Sequence, residues 1–429
     1  MAKELCKMDA ISCAQAIASR ETSPAELAST CLARIDMREE ATGAWQFLDP
    51  EIIESQLRKL DSIAKDARGP LHGLPVGVKD IYDTCDMPTA YGSDIYSGNR
   101  PPWDAAAVAR LRAAGAVVLG KTVTTEFAYW KAGKTRNPHD TSRTPGGSSS
   151  GSAAGVADFM MPLAIGSQTV ASTMRPASFC GIIGFKPSYG RISMAGIKPL
   201  AGSLDTAGVF ARTVSDAALI ASVMAGRNDW GSDGNTGSAP SLRIARTPDW
   251  DHVLPEAVSS VEKAAHMLLD EGATLEDHAA PEMFDDLSNA QNTVLAFEAA
   301  REFSSEWLYH RQQLSPQIAG LIEEGLALTP EQYEDAVKAR DAARCAIDEL
   351  FGSADFLLAP STIGEAPPAD QGTGDPLMSR AWTLLGLPTF TVPCGNGPAG
   401  LPLGLQIAAR PGMDHKLIAA AQWIEPRLS

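Results

Sequence analysis

The sequence predicts an α/β fold with a mostly buried sheet, on three observations. Strand-like and helix-like stretches alternate through the first half of the chain. Several of the strand-like stretches, such as residues 161–165 and 181–185, are continuous apolar runs, the pattern of a sheet covered on both faces. The 429 residues are 44% hydrophobic and 21% charged. That is a globular composition, long enough to bury a sizeable core as one large domain or two to three ordinary ones.

Residues 9–19 have the amphipathic spacing of a helix. Ser23-Pro24-Ala25-Glu26 is a capping box with proline at the first helical position, opening a helix to about residue 35. Asp49 caps a third helix over 50–67. Residues 75–81 read as a strand, 104–114 as a helix and 116–119 as a buried strand, with further strands at 161–165 and 181–185. A helix over 214–225 precedes a break at 228–241, whose Gly, Asp, Asn and Ser read as a surface loop. Residues 255–271, 288–310, 313–327 and 330–351 are helical in pattern. Strands return at 356–359, 389–393 and 403–408, and a helix over 414–424 closes the chain.

The formal charge of −16 argues against nucleic acid or an anionic membrane as a direct partner. An anionic substrate would need its own local positive group. The N-terminus shows no apolar signal region, and no stretch reaches the roughly 18 apolar residues of a membrane span. The seven cysteines are odd in number and scattered, and read as buried free thiols. No Cys-x-x-Cys and no paired histidines occur, so a metal site is not expected. The chain reads as cytoplasmic.

The chemistry concentrates between Thr144 and Lys186. A Gly-Gly-Ser-Ser-Ser-Gly-Ser loop spans 146–152, and a small-polar turn spans 166–172. Glycine and serine in that density let backbone N–H groups approach a ligand closely. Upstream, Lys79 lies in the apolar run Leu74-Pro75-Val76-Gly77-Val78-Lys79-Asp80. A lysine buried among Leu74, Val76, Val78 and Ile81 is pushed towards its neutral form, and a neutral amine beside serines is a base–nucleophile pair. The plainer reading is a lysine at a strand end, paired with Asp80 at the surface.

Two motifs are decoys. Gly115 to Thr122 fits the phosphate-loop pattern GxxxxGK[ST], yet its four middle residues, Ala-Val-Val-Leu, are themselves strand-like and cannot cradle a phosphate. Gly147 to Gly151 fits the nucleophile-elbow pattern GxSxG. The polar, turn-rich residues 134–146 before it are not a buried strand, and no later histidine sits at a convincing strand end.

Four blocks resemble the amidase signature family of serine hydrolases: HGLPVGVKD (72–80), PGGSSSGSAA (145–154), the segment around Ser172 through FCGIIGFKPS (179–188), and SLDTAGVFARTVSDAA (203–218). The resemblance implies one domain over residues 1–429 around a mixed sheet of about eleven strands, with helices on both sides. Its parts would be N-terminal helices (1–68), a signature core (69–227), a variable helical region (254–351), and C-terminal strands and helix (354–429). It also implies a cofactor-free Ser–cisSer–Lys triad of Ser172, Ser148 and Lys79. Ser172 would be the nucleophile, and Ser148, on a non-proline cis peptide, would relay its proton to Lys79. The N–H groups of Thr169, Val170, Ala171 and Ser172 would form the oxyanion hole, with Gly147, Ser149 and Arg175 towards substrate.

Two departures matter. Val170-Ala171 stand where the family usually has Gly-Gly, and a β-branched residue at positive φ would be strained. Arg175, three residues after Ser172, is similar to the malonamidase-type branch, where that arginine holds a substrate carboxylate; pairing with a core carboxylate or carbonyl is the other reading. Asp205, Arg212 and Lys186 read as structural. The implied function is hydrolysis of the C–N bond of a small amide, or a related carbamate or ester, through an acyl-enzyme. An amidotransferase-type glutaminase that passes ammonia to a partner and a catalytically impaired homologue are the alternatives. A homodimer is admitted.

Overall fold

The helix starts are set by local sequence. The computed structural model describes residues 5–227, 230 and 239–428. Asp9 caps α1 (Ala10–Ser19) by accepting the Ser12 N–H. The capping box closes as expected at α2 (Pro24–Thr42), where Ser23 Oγ accepts the Glu26 N–H and the Glu26 carboxylate accepts the Ser23 N–H. That helix continues past residue 35, because residues 36–42 hold no breaker until Gly43 takes φ 59° and ends it. α3 (Pro50–Asp61) ends early, and only a 3-10 turn at Lys65–Ala67 follows it.

The strands are β1 (Trp45–Leu48), β2 (Pro75–Lys79), β3 (Val117–Thr122), β4 (Leu163–Gln168), β5 (Ile183–Lys186), β6 (Thr206–Ala211), β7 (Ser241–Arg246), β8 (Thr274–Ala279), β9 (Phe356–Pro360), β10 (Thr389–Asn396) and β11 (Pro402–Ala409). They form one mixed eleven-stranded sheet in the order β1-β3-β2-β4-β6-β5-β10-β11-β9-β7-β8. Two parallel groups, β3-β2-β4 and β9-β7-β8, are joined by antiparallel pairs.

The remaining helices are α4 (Ala106–Ala113), α5 (Ser150–Ala157), α6 (Met174–Cys180), α7 (Val214–Ala225), α8 (Pro255–Asp270), α9 (Leu287–Glu302), α10 (Ser304–His310), α11 (Pro316–Ala327), α12 (Pro330–Cys345), α13 (Ile347–Phe351), α14 (Arg380–Leu385) and α15 (Asp414–Leu428). Helices lie on both sides of the sheet. The buried apolar side chains form one continuous core, with a small satellite around Phe179. The architecture is a single α/β domain.

Several expectations need correction. Between the helical stretches 255–271 and 288–310 lies β8, which was not anticipated, at the sheet's outer edge. Its sequence, TLEDHA, is largely exposed and offers no apolar run to read. β1, β6 and β7 were also not anticipated: β1 is four residues long, β6 is rich in small residues, and β7 breaks its apolar residues with two arginines. The stretch 288–310 breaks at Phe303, and 330–351 breaks at Ala346. The loop read at 228–241 falls largely outside the described residues, and Ser241 already belongs to β7. No disulfide joins the seven cysteines, but Cys85 and Cys345 are exposed and Cys394 half-buried rather than buried. No helix among the described residues is long and apolar enough to cross a membrane.

Candidate active site

Lys79 ends β2 at the carboxyl edge of the parallel group β3-β2-β4, beside Thr122 in register. The carboxyl ends of parallel strands are where an α/β sheet offers its crevice. Successive side chains of a strand alternate in direction, so Gly77 shares the face of Lys79, and Val76 and Val78 point the other way. A Cβ at Gly77 would stand 2.3 Å from Met161 Sδ. Val76 and Val78, expected to desolvate the amine, thus lie on the face of β2 away from it.

Lys79 is completely buried and does not pair with Asp80. Its Nζ donates to Ser148 Oγ at 2.7 Å and to Ser167 Oγ at 2.8 Å. Burial lowers its pKa from 10.5 to about 7, opposed by the negative charge of Asp205. Asp80 pairs with Lys121, 3.1 Å away. This pair also disposes of the phosphate-loop pattern, since β3 runs straight through it and Lys121 is sealed inside. Lys186 is equally buried and likewise lowered to about 7, opposed by the charge of Asp414, yet among the described residues its amine hydrogen-bonds only to the carbonyls of Pro187 and Leu387. Burial alone does not make a base; the two hydroxyls around Lys79 distinguish it.

The Gly147–Ser148 peptide bond is cis. Gly146 before it takes φ 81°, where a Cβ would meet the Pro176 backbone at 2.8 Å. Gly151, in the first turn of α5, lies so close to the backbone just before β1 that a Cβ would sit 2.2 Å from Ala44 O. These contacts explain the glycines of the loop as close backbone approaches. Ser149 is turned inward: it is fully buried, and its Oγ donates to Ser167 O and accepts the Ser167 N–H. It therefore holds the end of β4.

β4 leads into the turn at 169–172, whose carbonyls are tethered. Thr169 O accepts from Gln291 Nε2, Val170 O from Thr383 Oγ1, and Ala171 O from the Arg175 N–H. No acceptor among the described residues takes the N–H groups of Val170, Ala171 or Ser172. Gln168 braces the turn, its Oε1 accepting the N–H groups of Thr173 and Met174 and its Nε2 donating to Thr383 Oγ1. Neither Val170 nor Ala171 has positive φ, so the strain that the missing Gly-Gly implied is absent. A turn with tethered carbonyls and free amides is a ready site for a developing oxyanion.

Ser148, Thr169, Val170, Ser172 and Arg175 line one narrow cavity of about 20 Å³ with Tyr129, Trp130, Thr373 and Pro376. Ser172 Oγ has no hydrogen-bond partner among the described residues and is not sealed off. A larger hollow of about 430 Å³ beside α1 carries no serine or cysteine, so size does not identify the site.

Arg175 is buried, its Nε and Nη2 donating to Gly147 O and its Nη1 to Gly374 O, with its guanidinium 5.9 Å from the Trp130 ring. Among the described residues it meets carbonyls and no carboxylate. Gly147 thus contributes its carbonyl to Arg175. Asp205 accepts Thr169 Oγ1–H at 2.5 Å and the N–H groups of Leu200 and Ala201, and Arg212 donates to the carbonyls of Met161, Met8 and Cys6. Cys85, Asp86 and Asp104 gather donor atoms within 4.8 Å, but Arg112 already pairs with both carboxylates. Gln291 and Thr383 escaped sequence reasoning, because polar side chains in separate elements announce no shared destination.

A buried amine against two hydroxyls, an unpartnered serine and a turn of free amides therefore lie together at this edge of the sheet. A family model described as Amidase matches residues 26–418, and the chain belongs to that family, whose enzymes act on carbon–nitrogen bonds. Among similar proteins is the A subunit of the glutamyl-tRNA(Gln) amidotransferase of Anaeromyxobacter sp. (strain K). It is 33% identical over 481 residues, covering 100% of this chain and 97% of that protein. Among solved structures, one described as "Crystal structure of amidase" aligns with TM-score 0.90 and 31% identity over 98% of this chain and 100% of the other. The native peptide amidase of Stenotrophomonas maltophilia aligns with TM-score 0.84 and 30% identity over 98% and 97%.

Proposed function

We propose that the chain is an amidase that hydrolyses the C–N bond of a small amide through an acyl-enzyme on Ser172. The observation that carries this reading is the 2.7 Å contact between Lys79 Nζ and Ser148 Oγ beneath a cavity that Ser172 also lines. Near pH 7 a sizeable fraction of Lys79 is neutral. Its lone pair accepts the Ser148 proton while Ser148 Oγ takes the Ser172 proton, and Ser172 Oγ bonds to the substrate carbonyl carbon. The oxyanion accepts from the free N–H groups of the turn 169–172. Lys79 then returns a proton through Ser148 to the amide nitrogen, the C–N bond breaks, and the amine leaves. Water cleaves the ester by the same relay.

Purified protein is expected to release amine or ammonia from simple amides and to be labelled by a serine-reactive phosphonate, with Ser172→Ala losing both. Labelling that persists on another serine would overturn the assignment.

The full-length similarity to proteins named as one component of a glutamyl-tRNA(Gln) amidotransferase favours a second reading, in which the same first half-reaction releases ammonia from glutamine for a partner protein. The two readings differ in the fate of the ammonia. The lone chain turning over small amides supports the first. Glutamine hydrolysis that appears only with added partner proteins supports the second.

A further inference from the structure

Arg380, the first residue of α14, carries a guanidinium that forms no ion pair among the described residues. Its Nη1 donates to Gln291 Oε1 at 2.9 Å and to Asn292 Oδ1, both uncharged acceptors. Nε and Nη2 have no acceptor among the described residues and are not sealed from solvent. The acids whose charge reaches it, Asp375, Asp249 and Glu324, form no ion pair with it. Removing a cation from water without a counter-charge is unfavourable, and in a chain of net charge −16 acids to pair with are plentiful.

Its position relates it to the cavity. Gln291, which holds Nη1, donates through Nε2 to Thr169 O, so two hydrogen bonds link Arg380 to the turn carrying Ser172. Pro376, four residues before it, and Tyr129, whose hydroxyl feels its charge, both line the cavity. Arg175 lies closer to the serines, but each of its three nitrogens is already engaged by a backbone carbonyl. The open donor fork therefore belongs to Arg380. A planar guanidinium with two free nitrogens matches a carboxylate in shape and charge.

We propose that Arg380 is a specificity-determining residue that binds the remote carboxylate of an amide substrate while the scissile C–N bond lies over Ser172. This rests on the amidase reading of the site. The substrate class is then an amide of small size whose far end is anionic, and Arg175 adds positive potential while it holds the 147 and 374 carbonyls.

The test compares kcat/KM for half-amides of three- to six-carbon dicarboxylic acids with the uncharged monoamides of the same length. At one length the wild-type protein is expected to favour the half-amide by roughly thirtyfold, the worth of a charge-assisted hydrogen bond. Arg380→Gln should collapse that ratio to within a few-fold, chiefly through KM, and Arg380→Lys should keep part of it. An unchanged ratio in Arg380→Gln overturns the proposal, as does a wild-type preference for the uncharged amide at every length. Should Arg380→Gln not fold, competitive inhibition of the wild-type protein by the matching dicarboxylic acid supports the proposal, and none overturns it. If no amide of either series is cleaved, or cleavage survives Ser172→Ala, the amidase reading falls and takes this inference with it.

Discussion

Lys79 Nζ lies 2.7 Å from Ser148 Oγ and forms no ion pair among the described residues. An ammonium there would face hydroxyls alone in a dry site, so the neutral amine is favoured and has a proton-bearing oxygen at hand.

If that amine is the base, removing it abolishes most of the rate. Lys79→Met is expected to lower kcat/KM at pH 7 by about 10²–10⁴-fold, the usual worth of a positioned general base. Lys79→Arg should not rescue it, since a guanidinium does not give up its proton. Turnover within tenfold of wild type in either variant would remove Lys79 from the mechanism.

The pH profile follows from the same group. Lys79 works unprotonated, so kcat/KM should rise with pH and level off above about 7. Ser167 Oγ accepts from Nζ and so supports the charged form. Ser167→Ala should move the rising limb to lower pH, and a limb moved upward would contradict the contact. Stability carries the complementary signature. The folded pKa lies below the unfolded value of 10.5, so between about 7 and 10.5 the unfolded chain holds the extra proton. The contribution of Lys79 to stability therefore rises with pH across that window, and Lys79→Met should flatten the slope seen in pH-dependent denaturation.

Restoring the family's usual glycines should not help. Val170 and Ala171 have ordinary backbone angles, so Val170→Gly with Ala171→Gly relieves no strain and adds freedom to the unfolded chain. A loss of about 1–2 kcal/mol is expected, with kcat raised by no more than a few-fold. A tenfold gain in kcat would mean the existing turn is misaligned.

The ion pair beside the site tests the packing around it. Lys121 and Asp80 are both buried, 3.1 Å apart. Lys121→Met leaves an uncompensated carboxylate and should cost about 3–5 kcal/mol. Adding Asp80→Asn should recover part of that in a double-mutant cycle by denaturant unfolding. Two independent, additive losses would show that the pair does not couple.

Helix starts were legible because their cause is local: Asp9, Ser23 with Glu26, and Asp49 each satisfy N–H groups within three residues. Helix ends were less so, since α2 waits for Gly43 and α3 stops without a distinctive residue. β8 stayed hidden because an exposed edge strand carries little apolar signal. Lys79, Ser148 and Ser172 could be singled out by motif and spacing. Ser149 could not be told from its neighbour Ser148, because only the path of the chain turns one hydroxyl towards Lys79 and the other towards the Ser167 backbone.

The order of caps, strands and serine-rich blocks along the chain was determined by the sequence alone, because propensity, capping and apolar runs act over a few residues. Three things were decided only by the tertiary structure: which face of β2 buries the amine, that Arg175 is engaged by backbone carbonyls, and that Arg380 is left with an open fork. Each depends on distances between groups tens to hundreds of residues apart, and no local pattern carries such distances.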